Sequence, residues 1–391
     1  MSPSSTTGTR PRRAFGPRAA AAACCLAAAA TIALPGATAS ARTPAAQAPA
    51  SSRLPQACGT AGWVDGYSDA LNKLPVGDET VGDLSALTWD ARRHAYASVI
   101  DHATGRQARL WFFTDPANPR ITGTLVLRKA DGTPYDDTDF DAEGLTVLPN
   151  GDYLVSSEVE PSIREFGRDG VQRGELTVPA RFRVAPAGEA TSNATLEGLS
   201  VSPDGRYVYA AMEGVLSGDV SSSGNADDRR ILVYQADGRG GYRLVKEVGY
   251  RLQPGNRISE VAAYGPNGLL VLEAAWSAAV GNTIAVYAAP DALHAPDVSK
   301  VGDLGDAPAP KLAGKVLVAA VDQCPSLGAI ARETQQNPLM DNYEGMAIEP
   351  GPHPLGLAGL VLVSDDNSST AQTTRLLRLT VRLPSHLPVG H

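Results

Sequence analysis

Short apolar runs recur along the chain, each bounded by a turn containing glycine, proline or aspartate. Runs of about four to eight residues with such boundaries predict β-strands rather than helices. Five segments share one plan. Their openings are Leu84-Ser85-Ala86-Leu87, Glu143-Gly144-Leu145-Thr146, Glu197-Gly198-Leu199-Ser200, Ile258-Ser259-Glu260-Val261 and Glu344-Gly345-Met346-Ala347. Turn signals follow, as in Pro149-Asn150-Gly151-Asp152, Pro203-Asp204-Gly205-Arg206 and Pro266-Asn267-Gly268. Returning strands are predicted over residues 95–101, 153–158, 207–213, 269–273 and 360–365. Further strands follow near 108–113, 162–166, 230–235, 283–287 and 375–381.

The openings are separated by 59, 54, 61 and 86 residues. Quasi-repeats of three or four short strands and a long loop are the mark of a β-propeller. The fold class predicted is therefore all-β, a single large propeller domain over residues 57–391. The last gap has room for a sixth blade around Lys315–Val321 or for one large loop, and the reading adopted is six blades. A strand between Trp63 and Leu74 would complete a blade with the C-terminal segment and remove the free sheet edge. Leu327–Gln336, flanked by Pro325 and Pro338, is expected to form two or three helical turns on the propeller face.

Composition narrows the picture. Glycine and proline together are 68 of 391 residues, above the usual share, which favours turns over long helices. The first 41 residues carry Arg10, Arg12, Arg13 and Arg18 and no acid, followed by an apolar run from Ala19 to Leu34 and a small-residue stretch ending at Ala41. That is the form of an export signal, and Arg12-Arg13-Ala14-Phe15 suits a twin-arginine variant as well as an ordinary basic leader. A secreted, bacterial protein is expected, with a flexible Ala/Pro/Ser lead-in over 42–56 and no membrane attachment after cleavage. Cys24 and Cys25 would leave with the signal, so Cys58 and Cys324 have one possible disulfide. Without the leader, 30 basic residues face 42 acidic ones, which argues against a nucleic-acid partner. A monomer is expected.

The inner strand of a propeller blade lines the central channel, so equivalent positions of the repeats converge. Glu143, Glu197 and Glu344 share one position, with Glu260 nearby. Asp101, Glu158, Glu213, Glu273 and Asp365-Asp366-Asn367 follow at the ends of the next strands. Carboxylates gathered in a confined space repel one another and need a cation. The expected metal ligands are Glu143, Glu158, Glu197, Glu213, Glu260, Glu273, Glu344, Asp365 and Asp366. An all-oxygen set suits Ca2+, and Mg2+ less because it demands stricter geometry. The six histidines have no zinc spacing.

These motifs carry a family resemblance. Asp141-Ala142-Glu143-Gly144-Leu145, Ser157-Glu158, Leu196-Glu197-Gly198-Leu199 and Ile258-Ser259-Glu260 match in part. The more specific motifs are Asp341-Asn342-Tyr343-Glu344-Gly345-Met346 and Ser364-Asp365-Asp366-Asn367, with Gln372. Over about residues 60–385 the chain resembles the secreted phytase-like family, whose domain is described as an esterase-like activity of phytase. Leu196, where an aromatic residue is common, and Asp83, where glycine is usual, depart from its pattern. The resemblance implies a β-propeller, export and metal-assisted hydrolysis.

The expected activity is phosphomonoester hydrolysis on a small anionic substrate, with Glu344, Asp365 and Glu158 as catalytic residues. Arg164, Arg229, Arg230 and Arg332 are candidate phosphate partners. A calcium-dependent lactonase or phosphotriesterase, and a non-catalytic calcium-stabilised binding module, are the alternatives. A serine nucleophile is poorly supported, because no Gly-x-Ser-x-Gly elbow occurs.

Overall fold

The computed structural model describes residues 56–385 apart from 60, 102–104, 309 and 310. The expected export signal over 1–41, and the lead-in apart from Gln56, lie outside the described residues. Strands β1 (Gln56–Ala57) and β2 (Gly62–Ser68) and the hairpin β3 (Pro75–Val76) and β4 (Glu79–Thr80) precede the first blade. Blade 1 is β5 (Thr88–Asp90), β6 (Ala95–Val99), β7 (Arg109–Thr114) and β8 (Arg120–Val126). Blade 2 is β9 (Ala142–Val147), β10 (Tyr153–Ser157), β11 (Ser162–Phe166) and β12 (Gln172–Leu176). Blade 3 is β13 (Leu196–Val201), β14 (Tyr207–Met212), β15 (Asp228–Ala236) and β16 (Tyr242–Arg251). Blade 4 is β17 (Arg257–Tyr264), β18 (Gly268–Ser277), β19 (Gly281–Ala289) and β20 (Val316–Ala320). Blade 5 takes β21 (Asn342–Ile348), β22 (Leu357–Asp365) and β23 (Leu376–Arg382) and is completed by β2, with β1 outside it.

The molecule is thus a five-bladed propeller, and the expectation of six blades is corrected. The segment around 315–321 is not a blade of its own. Val316–Ala320 is the outer strand of blade 4, pairing with β19. The long spacing before Glu344 is filled by loops. Nor is 327–336 helical: it is made of turns and bends, with positive φ at Leu327 (53°) and Gly328 (81°). Left-handed backbone at the start of that segment is incompatible with a helix there. The closing strand overlaps the expected segment and begins one residue before it, and β2 pairs antiparallel with β23 from Gly62↔Val381 to Ser68↔Leu376.

Alternation along the strands builds the core. In β14, Val208, Ala210 and Met212 pack toward blade 2, while Tyr209 and Ala211 pack toward blade 4. Each of the five junctions between neighbouring blades holds its own buried apolar cluster. Blades are therefore glued face to face chiefly by side chains, and the strand ladders stay within each blade, with an isolated backbone bridge between Arg128 and Val171 joining blades 1 and 2. Cys58 and Cys324 form a disulfide that ties the turn between β1 and β2 to the end of blade 4.

The inner strands β5, β9, β13, β17 and β21 contact one another in a closed ring around the axis. Their approach explains the repeated Glu-Gly pair. A Cβ on Gly144 would lie 2.3 Å from the Glu197 carbonyl oxygen, and one on Gly198 would lie 2.7 Å from the Val261 nitrogen. Neither contact is sterically possible, so the neighbouring strand excludes any side chain there.

Candidate functional site

The inner strands share a local irregularity that aims the acids. In blade 5, Gly345 pairs with Val363 and Tyr343 with Ser364, leaving Glu344 as an extra residue. The same slip spans Glu143-Gly144 in blade 2 and Glu197-Gly198 in blade 3. A bulged residue turns away from the ladder, and here it turns to the channel mouth. In blade 4, Glu260 pairs with Leu272 and Ile258 with Glu273, so the extra residue is Ser259. Glu260 thus stands where the other blades have glycine, one position beyond the acidic ring.

That shift gives Glu260 a different task. It is 1% exposed, and its Oε1 accepts the N–H groups of Leu199 at 3.0 Å and Val261 at 2.9 Å. Backbone N–H groups of Leu87 and Met346 also reach the carboxylate. Burial pushes its pKa well up, against the pull of these four N–H groups. One carboxylate therefore joins backbone of blades 1, 3, 4 and 5. Glu273 is likewise outside the mouth. It is fully buried and accepts from Tyr250 Oη at 2.8 Å, Gln253 N at 2.9 Å and Asn256 Nδ2 at 3.0 Å, and it also pairs with Lys315.

On one side of Glu260 a cavity of about 410 Å³ is lined by Asp101, Asp141, Glu143, Glu158, Glu197, Glu213 and Glu344, with Arg257, Asn193, Asn342 and Asn367. A larger cavity, about 870 Å³, opens on the other side along Leu145, Leu199, Val261 and Met346 and the hairpin turns beyond them. Its inner wall is apolar, and the clustered carboxylates belong to the smaller one.

Among the described residues, Arg257 is the one basic side chain lining the acidic cavity. Its Nη1 donates to Glu197 at 3.1 Å and Glu213 at 3.0 Å, and its Nη2 donates to Glu344 at 2.8 Å and Asn342 Oδ1 at 2.9 Å. Burial works against the guanidinium's charge, and the carboxylates, Glu344 foremost, more than restore it, so its pKa rises. The sequence reading missed Arg257. Its signal was positional: it is the residue before Ile258, in the slot that holds Asp83, Asp141, Thr195 and Asn342 in the other blades.

Burial pushes the pKa values of Asp101, Glu143 and Glu197 well up, and neighbouring carboxylates add to the shift. Glu158 is pushed up to about 8 by burial and by Glu213. Glu143 Oε2 accepts from Ser85 Oγ at 2.6 Å, and Glu158 Oε1 accepts from Thr195 N. Among the described residues, three groups of carboxylates bring oxygens within 4.8 Å of one another: Asp141–Glu143–Glu158, Glu158–Glu197–Glu213 and Asp83–Asp101–Asp365. Asp365 and Asp366 lie outside the cavity lining. Asp366 is held by Lys73 at 2.6 Å and by the Asp83 N–H at 2.9 Å.

The arginines expected to bind phosphate are engaged or remote from the cavity lining. Arg230 is buried between Asp219 and Glu247. Arg229 donates to the carbonyls of Glu213, Ala226 and Asp228. Arg164 lies over the rings of Tyr135 and Phe140, and Arg332 is exposed.

The family model described as "Phytase-like: Esterase-like activity of phytase" matches residues 79–368. The chain belongs to the phytase-like family. No curated protein matches the sequence. Among solved structures it is similar to a Kuenenia stuttgartiensis hydrazine synthase, at 12% identity over 80% of this chain and 92% of that one, with a TM-score of 0.35. It is also similar to a Xanthomonas campestris gluconolactonase, at 13% identity over 86% and 99%, with a TM-score of 0.34. Likenesses this low carry no argument here.

The acidic clusters of this phytase-like chain could coordinate a metal ion. All the donors are carboxylate oxygens, which fits a hard cation. Asp101 Oδ1 and Asp365 Oδ2 are buried without a hydrogen-bond partner among the described residues, as oxygens awaiting a cation would be. No helix among the described residues is long and apolar enough to cross a membrane.

Proposed function

We propose that the acidic cavity is the active site of an exported, metal-dependent ester hydrolase, and that the ester is a phosphoric monoester. The supporting observation is the convergence of oxygens of Asp141, Glu143 and Glu158 within 4.8 Å of one another in a cavity lined, among the described residues, by a single basic side chain. Such a site repels an anionic substrate until a cation is bound. Asp141, Glu143 and Glu158 would hold that cation, with Ca2+ preferred for its tolerance of an irregular oxygen set. When bound, it would neutralise the ester's charge and acidify a water molecule.

The chain's own residues would do the rest. Arg257 fixes Glu197, Glu213 and Glu344 so that they face the cavity without driving one another apart. Glu344 Oε2 would accept the proton of the attacking water, and Asn342 Nδ2, 3.0 Å from Glu344 Oε1, keeps the carboxylate oriented. A second reading, an uncharged lactone or phosphotriester, is favoured by one observation. The four Nη donor contacts of Arg257 are already spent on protein oxygens, leaving those donors unavailable to a substrate anion. Export is supported by the leader-like residues before Ala41 and by the Cys58–Cys324 disulfide.

The test is hydrolysis of p-nitrophenyl phosphate, a lactone and a phosphotriester by chelator-stripped protein across a calcium titration, with E344Q and E158Q alongside. Calcium-dependent turnover lost in both folded variants is the expected result. Turnover of only the uncharged esters would select the second reading. Calcium binding without any turnover would leave a calcium-stabilised binding module.

A further inference from the structure

A second acidic cluster lies behind the wall of the cavity, at the junction where the last blade meets the first. Asp83 and Asp101 belong to the edge of blade 1, and Asp365 ends β22 of blade 5. Of the three, only Asp101 also lines the cavity. Their oxygens approach within 4.8 Å of one another, and Asp83 and Asp365 are 2% and 1% exposed.

The hydrogen bonds nearby account for some of these oxygens and leave others bare. Asp83 Oδ2 takes Arg106 Nη1 at 2.7 Å and Ser368 Oγ at 3.0 Å. One Asp365 oxygen takes the Asn367 N–H at 2.9 Å. The other, Oδ2, and Asp101 Oδ1 have no hydrogen-bond partner among the described residues. Orphaned carboxylate oxygens at this depth are costly and call for an occupant.

Charge counting gives the occupant's class. Three ionised carboxylates carry −3. Arg106 neutralises one of them at Asp83, and Lys73 is engaged by Asp366 instead. The residue is −2, which one divalent cation balances. An all-oxygen donor set of irregular spacing suits Ca2+.

We infer that Asp83, Asp101 and Asp365 form a second divalent-cation site, separate from the one proposed in the cavity, that clasps blade 5 to blade 1 and so locks the ring. It extends the reading of the acidic cavity as a metal site, yet its task is structural. Blade 5 is assembled from both ends of the described chain, so its junction with blade 1 is where a cross-blade clasp would act on ring closure.

The experiment compares the chelator-stripped protein with D365N, D101N and E158Q by calorimetric calcium titration and thermal melting. Calcium is expected to raise the wild-type Tm by roughly 5–10 °C at saturating concentration. D365N and D101N are expected to bind one equivalent fewer and to lose most of that rise. E158Q, altered in the cavity, is expected to keep it. Unchanged stoichiometry and an unchanged Tm rise in D365N and D101N would overturn the inference. If neither variant folds, hydrogen exchange of the wild type with and without calcium decides it. Slowed exchange at Asp83–Asp101 and in β22 is expected, and an effect confined to Glu143–Glu158 would overturn the clasp. Ester turnover is read separately, so an inactive wild type counts against the proposed activity and leaves the cation count at this junction unaffected.

Discussion

Replacing Glu260 by alanine should nearly unfold the protein, although the residue lies outside the carboxylate ring. The carboxylate accepts N–H groups from Leu87, just before β5, and from Leu199, Val261 and Met346 on β13, β17 and β21, one from each of four blades. Its removal leaves four buried donors unsatisfied. At about 1–3 kcal/mol for each, the loss sums to about 4–12 kcal/mol. Native domains are stable by only about 5–15 kcal/mol, so E260A would sit at the edge of unfolding. E260Q keeps one acceptor oxygen but turns an amide N–H2 toward donors, and roughly 2–4 kcal/mol should be lost. Urea denaturation at pH 7 measures both. Formate or acetate at tens of millimolar should restore part of the E260A loss, because the vacated space is lined by N–H groups and has the character of an anion site. A loss below about 1 kcal/mol in E260A, with no anion effect, would refute the argument that this carboxylate holds the blades together.

Other outcomes follow from the same geometry. The R257Q variant breaks contacts to three carboxylates, and a loss of about 3 kcal/mol is expected in calcium-free buffer, with calcium recovering more stability than in the wild type. G144A places a Cβ 2.3 Å from the Glu197 carbonyl oxygen, and at least about 1–3 kcal/mol should be lost on chemical denaturation. The folded pKa values of Asp101, Glu143, Glu158 and Asp365 are raised, so the folded state retains protons that the unfolded state has released. Stability of calcium-free protein should therefore fall as pH rises from the ordinary carboxylate range through about 8, where Glu158 titrates. Melting temperatures from pH 5 to 9 check this, and saturating calcium should flatten the decline.

The repeat of apolar runs and turns made the propeller legible, because each strand obeys local rules of alternation and turn chemistry. Blade number was not legible. A strand such as Val316–Ala320 looks alike whether it founds a blade or finishes one, and only its pairing with β19 decides. The acids at the mouth were legible in three blades, where Glu precedes Gly. Blade 4 misled because its Ser259-Glu260 pair resembles the motif while standing one residue out of register, and a single step along a strand changes where a side chain points. Glu273 was drawn off by the same step. Arg257 and Asp83 escaped notice because a lone charge before a strand has no meaning until the neighbouring blades are in place. Asp83 was visible only as a departure from a family pattern.

The sharing of blade 5 between the two ends of the described chain has a consequence for how the molecule comes to exist. Asp65 and Thr380 are joined at 2.8 Å across 315 positions of sequence. No ribosome-bound fragment can close the ring before β23 has emerged, so the final sheet forms only after the strands of the other four blades have been made. Contacts this distant in sequence raise the contact order and slow folding. They also make the order of the blades a matter of topology rather than of where the polypeptide starts. A circular permutant with a linker joining the outer ends of β2 and β23 and new termini at the exposed turn around Gly238 should retain the five-bladed ring.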